Sequence, residues 1–196
     1  MKIFSRAELE HVFKLDTVAL GVIRNGFVAL AEDRVVIPPI LSMDVAENNG
    51  DVDVKTAYIE GVPQFVIKVS PGFFDNPKLG LPSLNGLMIL FSSQTGLIEA
   101  LLLDKGYLTE IRTALAGALA AENLANPEIK TVGIIGAGVQ ARLQAQALKL
   151  VRKFEHLQVW SIVPEKAEDY RNEMETVLGV PVAVQTERNT LVETSD

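Results

Sequence analysis

The sequence has no cysteine and only two histidines, His11 and His156. Without cysteine, the chain cannot form a disulfide scaffold, a thiolate zinc site or a cysteine nucleophile. Two histidines exclude a histidine-rich metal site and leave few candidates for a Ser-His-Asp triad. Metal centres built on cysteine or on clustered histidine are therefore excluded before any motif is considered.

The chain also lacks a basic excess and a long hydrophobic run. Its 18 basic and 25 acidic side chains give a formal net charge of −7, which argues against nucleic-acid binding. No segment reaches the ~18 uninterrupted apolar residues of a membrane span, and residues 1–8 turn polar before a signal-peptide core could form. We expect no nucleic-acid or membrane partner and a cytoplasmic location.

What the chain does contain is ordinary globular composition over 196 residues, with 48% hydrophobic and 22% charged side chains. This length allows one large domain or two small ones. Disorder is excluded as the default state, because enough apolar surface is available to form a core.

The first half of the chain predicts a small α+β unit with an antiparallel sheet. Ser5 and Glu8 have the spacing of a capping box, which predicts a helix from about Arg6. After a break near Asp16, a second apolar stretch runs over residues 18–30. Period-two alternation and turn residues predict strands at 35–37, 52–58, 65–70, 87–91 and 98–103.

From Thr109 onward, helices and strands alternate. We expect Thr109 to cap a helix that ends at Leu124, and its alanines and Gly117 to keep this helix thin enough for close packing. The alternation predicts the start of a parallel, doubly wound sheet. Domains are therefore predicted at 1–108 and 109–196, with strands at 131–135, 157–160 and 181–185 and helices at 139–153 and 164–178.

A G-x-G-x-x-A motif follows the first of these later strands directly and opens the next helix. Gly136 would make the tight turn, Gly138 would let a pyrophosphate approach the backbone, and Ala141 would let helix and strand pack closely. The N–H groups at the helix start favour phosphate. A glycine turn that serves only packing is the alternative, but the strand and helix context favours binding of NAD or NADP.

The end of the second strand does not decide between the two cofactors. An acid at this position usually binds the adenosine ribose of NAD, and here the sequence reads Val159-Trp160-Ser161-Ile162, with neither acid nor arginine. Ser161 could donate one hydrogen bond to a hydroxyl or to a phosphate. NAD and NADP therefore both stay open.

From about Ile37 to Gln146 the chain resembles the ornithine cyclodeaminase/mu-crystallin family. The resemblance implies an N-terminal α+β substrate-binding and dimerisation domain followed by the first half of a doubly wound Rossmann sheet. It also implies an NAD(P)-dependent enzyme of amino-acid metabolism, of cyclodeaminase or imino-acid reductase or dehydrogenase type, that transfers hydride at the α-carbon of a small amino or imino acid and forms a homodimer. The segments that carry the resemblance are Ile67-Lys68-Val69, Gly80-Leu81-Pro82-Ser83, residues 108–114 and the glycine motif.

Within this family, residues 54–58 and 72–86 look closest to the ectoine utilization cyclodeaminase-like branch. This similarity suggests a role in ectoine degradation.

The resemblance also assigns residue roles. Lys68 matches an active-site lysine that meets the substrate carboxylate and assists proton transfer, and Arg112 matches an arginine that reaches both carboxylate and cofactor. Both roles suit these side chains, since carboxylates favour guanidinium partners and a lysine in an apolar strand can have a lowered pKa. Cofactor contacts fall on Ser83 and on the pyrophosphate turn, Gly138, Val139 and Gln140.

Other interpretations of these residues are available. On its own, Lys68 is an edge or snorkelling lysine, and Arg112 is a solvated ion-pair partner. Family members commonly carry an arginine directly after the proline pair of the first strand, whereas Pro38-Pro39 is followed here by Ile40-Leu41. Lys55 could substitute for it or face solvent. This departure weakens ornithine itself as the substrate.

Family chains are considerably longer, so we expect this chain to hold only part of the Rossmann domain. Strand 131–135 would then be an exposed apolar edge, because its later neighbour is absent. Two alternatives to the enzyme follow. One is a non-catalytic dinucleotide or small-acid binding protein of mu-crystallin type, and the other is an inactive fragment.

Overall fold

The computed structural model describes residues 1–196, which form two compact units. The first unit comprises residues 1–14 and 25–109, and the second comprises residues 15–24 and 110–196. Two helices contribute to both, α2 (Thr17–Ala31) and α3 (Tyr107–Leu124). None of the helices has the length and apolar character that a membrane crossing requires. The predicted boundary after residue 108, and the roles given to the two domains, stay predictions.

A seven-stranded sheet forms the frame of the first unit. Its strands are β1 (Lys2–Ser5), β2 (Val35–Val36), β3 (Leu41–Val45), β4 (Gly50–Ile59), β5 (Gln64–Phe73), β6 (Leu87–Ser92) and β7 (Ile98–Leu103). The order is β1-β7-β6-β5-β4-β2, and β3 also pairs with β4. The predicted strands pair antiparallel as expected, whereas β1 adds a parallel pair with β7. Two strands, β1 and β3, were not predicted.

The first helix, α1 (Arg6–Val12), begins as predicted. The Ser5 hydroxyl accepts a hydrogen bond from Glu8 N at 3.4 Å, and the Glu8 carboxylate accepts one from Ser5 N at 2.8 Å. Hydrogen bonds from Ser5 also lower the pKa of the Glu8 carboxyl. Leu9, which is buried, anchors the helix. The capping box is therefore confirmed.

One side of this sheet carries apolar residues that the chain leaves only half buried. Directly opposed pairs on β5 and β6 share this side, and the rings of one pair stack with centroids 5.0 Å apart. Every residue of β6 is partly exposed. We call the set the apolar face, and it consists of Phe65, Ile67, Val69, Leu87, Ile89 and Phe91.

The second unit contains a three-stranded parallel sheet with helices on both sides. The strands are β8 (Thr131–Ile135), β9 (His156–Trp160) and β10 (Val182–Val184), in the order β10-β9-β8, and the helices are α4 (Val139–Leu148), α5 (Pro164–Leu178) and α6 (Arg188–Glu193). Leu157 and Val159 on β9 are fully buried against Tyr170 and Met174 of α5. On the other side, α6 lies over Gly133, where a Cβ atom would be 2.8 Å from Leu191. This arrangement confirms the doubly wound α/β fold class.

The helices α3 and α4 approach closely within the second unit. A Cβ atom on Gly117 would lie 2.0 Å from the Gln144 side-chain oxygen, and the Gln144 amide donates to the Thr113 carbonyl at 3.2 Å. Ala114 and Ala118 on α3 are fully buried. The predicted thin helix face is therefore the packing surface. Helix α4 ends at Leu148 rather than at 153, because the chain there tightens into turns.

The edge strand β8 is only partly open. Ile135 is 56% exposed, as expected of an edge. Asp196, however, pairs with the start of the strand: its N–H donates to the Thr131 carbonyl at 3.0 Å, and its carboxylate accepts from Lys130 N and Thr131 N. These backbone donors lower the pKa of the Asp196 carboxyl. The expected exposed edge is thus confined to the later residues of β8.

Candidate active site

The glycine motif forms the turn between β8 and α4. Gly136 has φ +103°, a conformation that L side chains rarely adopt. Its N–H donates to the Trp160 carbonyl at 2.7 Å, so the turn is tied to the end of β9. Gly138 caps α4 with an ordinary φ of −88°, and a Cβ atom there would have no neighbour within 4 Å. The fold therefore requires glycine at 136 for its backbone, but leaves open space at 138.

A cavity of about 560 Å³ opens in front of this turn, at the carboxyl ends of β8 and β9. Ligands of open α/β sheets bind at this position, and the N-terminus of α4 offers unpaired N–H groups to an anion. The cavity brings together four residues that the sequence predicts for the cofactor, Gly136, Gly138, Val139 and Ser161. We call it the corner cavity, and its other lining residues are Ala137, Arg142, Ile162, Val163, Lys166 and Asp169.

Gln140 does not line the corner cavity. Its side-chain amide donates to the Glu110 carbonyl at 3.2 Å, and its side-chain oxygen accepts from Gln144 at 3.3 Å. The side chain thus connects α4 with α3. A contact of Gln140 with a cofactor would have to come from its backbone N–H in the first turn of α4.

Arg142 is a cavity residue that sequence reasoning missed. Its guanidinium donates to the carbonyls of Ala137 (2.5 Å) and Gly138 (3.3 Å). An ion pair with Glu173 at 2.7 Å holds the side chain in place. Arg142 therefore stabilises the turn through its hydrogen bonds to two carbonyls. Its place in the sequence, after the motif, does not predict this role.

Tyr170 supports the same turn from α5. The Arg142 guanidinium lies 5.2 Å from the centre of its ring, and the Tyr170 hydroxyl donates to the Ala141 carbonyl at 3.1 Å. Burial raises the pKa of the Tyr170 hydroxyl above its ordinary value, so the hydroxyl keeps the proton that it donates. The last residue of the glycine motif is thus fixed to the core of the second unit.

In the first unit, Lys68 lies directly opposite Lys55 across β5 and β4. Like charges in this arrangement repel each other. Asp53, two residues before Lys55 on the same side of β4, pairs with the Lys55 ammonium at 2.7 Å. The pKa of the Asp53 carboxyl is lowered, chiefly by the hydrogen bond from Lys55 and then by one from Ser42. Two cations and one carboxylate therefore lie on the same side of the sheet.

Thr109 approaches the predicted catalytic lysine. The Lys68 ammonium lies 3.5 Å from the Thr109 hydroxyl oxygen, in the first turn of α3. This helix begins at Tyr107, and the fully buried Asp104 carboxylate accepts from Leu108 N at 2.9 Å. The prediction that Thr109 caps the helix is therefore wrong. The cap comes from a carboxylate upstream, which leaves the threonine hydroxyl to face the lysine.

The other two predicted residues do not line the corner cavity. Ser83 belongs to the first unit, where its carbonyl accepts from Phe73 N at 2.8 Å and fixes its loop to the end of β5. Arg112 belongs to the second unit and is exposed on α3. Their predicted contacts with cofactor and substrate stay predictions.

Comparison with known proteins identifies the family. Residues 2–196 match the sequence pattern of the ornithine cyclodeaminase/mu-crystallin family. The chain belongs to this family. The family assignment that the sequence motifs predicted is thereby confirmed, and it extends over nearly the whole chain.

Two relatives are similar to this chain along most of its length. A Rhizobium meliloti strain 1021 protein named as a dehydrogenase is 48% identical over 196 residues, covering 100% of this chain and 60% of that protein. An uncharacterized cyclodeaminase of Sinorhizobium fredii strain NGR234 is 54% identical over 169 residues, covering 86% and 51%. The chain thus spans between about half and three fifths of the length of these relatives.

A solved structure shares the fold. The Delta(1)-pyrroline-2-carboxylate reductase of Thermococcus litoralis, in complex with NADH and L-proline, superposes with a TM-score of 0.93 at 31% identity. The match covers 100% of this chain and 60% of that structure. The Rossmann-type arrangement of the second unit is therefore that of a known nucleotide-binding relative.

Substitution of the two glycines of the turn should change the free energy of unfolding by different amounts. We expect Gly136→Ala to lower the free energy of unfolding by about 1–3 kcal/mol, because its positive φ strains any L residue. In Gly138→Ala the φ angle stays allowed and the added methyl group faces open space. The loss in free energy of unfolding is then only the difference between glycine and alanine at an N-cap, below about 1 kcal/mol. Denaturant unfolding followed by Trp160 fluorescence measures both. Equal losses, or a larger loss for Gly138→Ala, would contradict this assignment.

Proposed function

We propose that this chain belongs to an NAD(P)-dependent enzyme of amino-acid metabolism that acts on a small amino or imino acid. The observation that carries the proposal is the corner cavity in front of the bare N-cap Gly138. The relatives support it, since their names describe a dehydrogenase, a cyclodeaminase and an imino-acid reductase bound to NADH and L-proline. The nicotinamide supplies or accepts a hydride at the α-carbon when it is bound.

The turn residues fit a dinucleotide for a physical reason. A Cβ atom on Gly138 would occupy space that the fold leaves open, next to the N–H groups at the start of α4. A pyrophosphate in this space would accept hydrogen bonds from those groups. Arg142 occupies its donors with the carbonyls of Ala137 and Gly138, so its role is to hold the turn rather than to bind the ligand.

Lys68 and Arg112 are the proposed substrate-binding and catalytic side chains, with Lys55 as a further substrate contact. Lys68 is a half-buried residue whose ammonium lies beside the Thr109 hydroxyl, where it can bind a carboxylate and donate a proton to the substrate nitrogen. Arg112 supplies a guanidinium for a carboxylate. Ser83 is proposed as a cofactor contact.

We also propose that the protein forms a homodimer through the apolar face. Only Leu9, Ala29 and Ala100 are buried hydrophobic residues of the first unit, whereas the apolar face stays half exposed. A continuous apolar surface of this kind marks an association site, and a second copy supplies a self-complementary partner. The family resemblance also implies a homodimer.

Dinucleotide binding is tested first by a bulky side chain at position 138. We expect Gly138→Val to abolish binding of NADH and NADPH at millimolar concentration, because the side chain occupies the pyrophosphate space, while circular dichroism and unfolding stay close to wild type. Titration followed by Trp160 and nicotinamide fluorescence measures this. Gly21→Val is the matched control, since Gly21 also faces open space. Undiminished binding in Gly138→Val would remove the cofactor assignment.

Catalysis is tested on the natural protein with Δ1-pyrroline-2-carboxylate, 2-oxo acids plus ammonia, and ornithine. We expect Lys68→Met and Arg112→Ala to lower kcat/KM by about 10²-fold or more, as loss of an acid–base or carboxylate-binding group does. Lys153→Met, an exposed lysine, should leave it unchanged. Net oxidation of the cofactor indicates a reductase, and ammonia release without it indicates a cyclodeaminase. Tight cofactor binding without any turnover would favour the non-catalytic alternative.

The dimer is tested by a charge on the apolar face. We expect Ile89→Asp to shift the protein to monomer at micromolar concentration, because burying an unpaired carboxylate at an interface is costly. Leu97→Asp, in the exposed turn between β6 and β7, is the control. Sedimentation velocity gives the mass, and circular dichroism verifies folding. A monomeric wild-type protein, or a folded Ile89→Asp variant that stays dimeric, contradicts the proposed interface.

A further inference from the structure

The corner cavity is lined on its α5 side by a lysine that forms no ion pair. Its charged lining residues are Arg142, Lys166 and Asp169. Arg142 is already paired with Glu173 at 2.7 Å. Lys166 is exposed and takes part in none of the ion pairs of the structure. Its ammonium is therefore the cation that this side of the cavity can offer to a ligand.

At the end of β9 the chain has a serine in place of the acidic residue that is typical of NAD sites. In NAD sites a carboxylate at this strand end binds the ribose 2′-hydroxyl, and it would repel a 2′-phosphate. Here the strand ends at Trp160 and Ser161 lines the cavity. The Ser161 oxygen accepts from Val163 N at 3.2 Å, which leaves its hydrogen free to be donated.

Hydrogen bonds of one backbone turn connect Ser161 with Lys166. Val163 donates its N–H to the Ser161 side chain, and its carbonyl accepts from Lys166 N at 3.1 Å. Lys166 is the third residue of α5, so its positive charge adds to that of the helix N-terminus. Ser161 and Lys166 therefore belong to one hydrogen-bonded segment, which follows β9 and lines this end of the cavity.

We propose that this end of the corner cavity binds the 2′-phosphate of NADP(H), with Lys166 and Ser161 as donors, and that the protein prefers NADP(H) over NAD(H). The inference rests on the dinucleotide site of the proposed function and deepens it. Asp169 does not substitute for the acid of an NAD site. It lies on α5, three residues beyond Lys166, and not in the segment that directly follows β9, and two cations line the cavity beside it.

Titration of the natural wild-type protein with NADPH and NADH tests the preference. We expect NADPH to bind at least about tenfold more tightly, since a charge-assisted contact to phosphate is absent in NADH. The NADPH affinity should also fall more steeply with salt. Equal affinities, or tighter NADH, overturn the inference but keep the dinucleotide site. Binding of neither cofactor removes both.

Two variants assign the preference to these side chains. Lys166→Ala should weaken NADPH about tenfold and leave NADH unchanged, while Lys153→Ala, the matched exposed lysine, should change neither. Ser161→Asp should reverse the preference, because its carboxylate repels the phosphate and accepts the ribose hydroxyl, and it can still accept from Val163 N. Equal weakening of both cofactors by Lys166→Ala, or an unchanged preference in Ser161→Asp, contradicts the proposal.

Discussion

The hydrogen bond from Gly136 N to the Trp160 carbonyl is the interaction on which the candidate site depends. It joins the carboxyl ends of β8 and β9, so the glycine turn and the Ser161 loop are held on two sides of one cavity. Directly after this bond the chain turns at residue 136 with φ +103°, which a glycine adopts without strain. Arg142 and Tyr170 then fix the carbonyls that follow, so the space in front of Gly138 is preorganised.

The two units differ in how completely they bury their apolar residues. The second unit has a closed core in which Leu157, Val159, Tyr170 and Met174 are all fully buried. The first unit has more strands but few buried hydrophobic side chains, because both sides of a seven-stranded sheet need cover. Its stability in isolation is therefore expected to be the lower of the two, and the proposed second copy would supply part of the missing cover.

Local signals in the sequence predicted local structure well. The capping box at Ser5, the alternating strands and the G-x-G-x-x-A turn each depend on residues a few positions apart. Failures came from distant partners: β1 pairs in parallel with β7, which lies at the far end of the unit's sequence. Arg142 was missed for the same reason, since its role depends on Glu173 and Tyr170. The wrong prediction that Thr109 caps α3 has a similar cause. The helix begins earlier, at Tyr107, because the buried Asp104 carboxylate accepts a hydrogen bond from Leu108 N.

The lysine pair on β4 and β5 is a local cost to the stability of the first sheet. Two ammonium groups directly across a sheet repel each other, and a β-branched pair would fit the pleated surface better. Asp53 offsets part of this repulsion through Lys55. If Lys55 and Lys68 bind a substrate carboxylate as proposed, the ligand would offset more of the repulsion, so ligand binding and local stability would be coupled at this position.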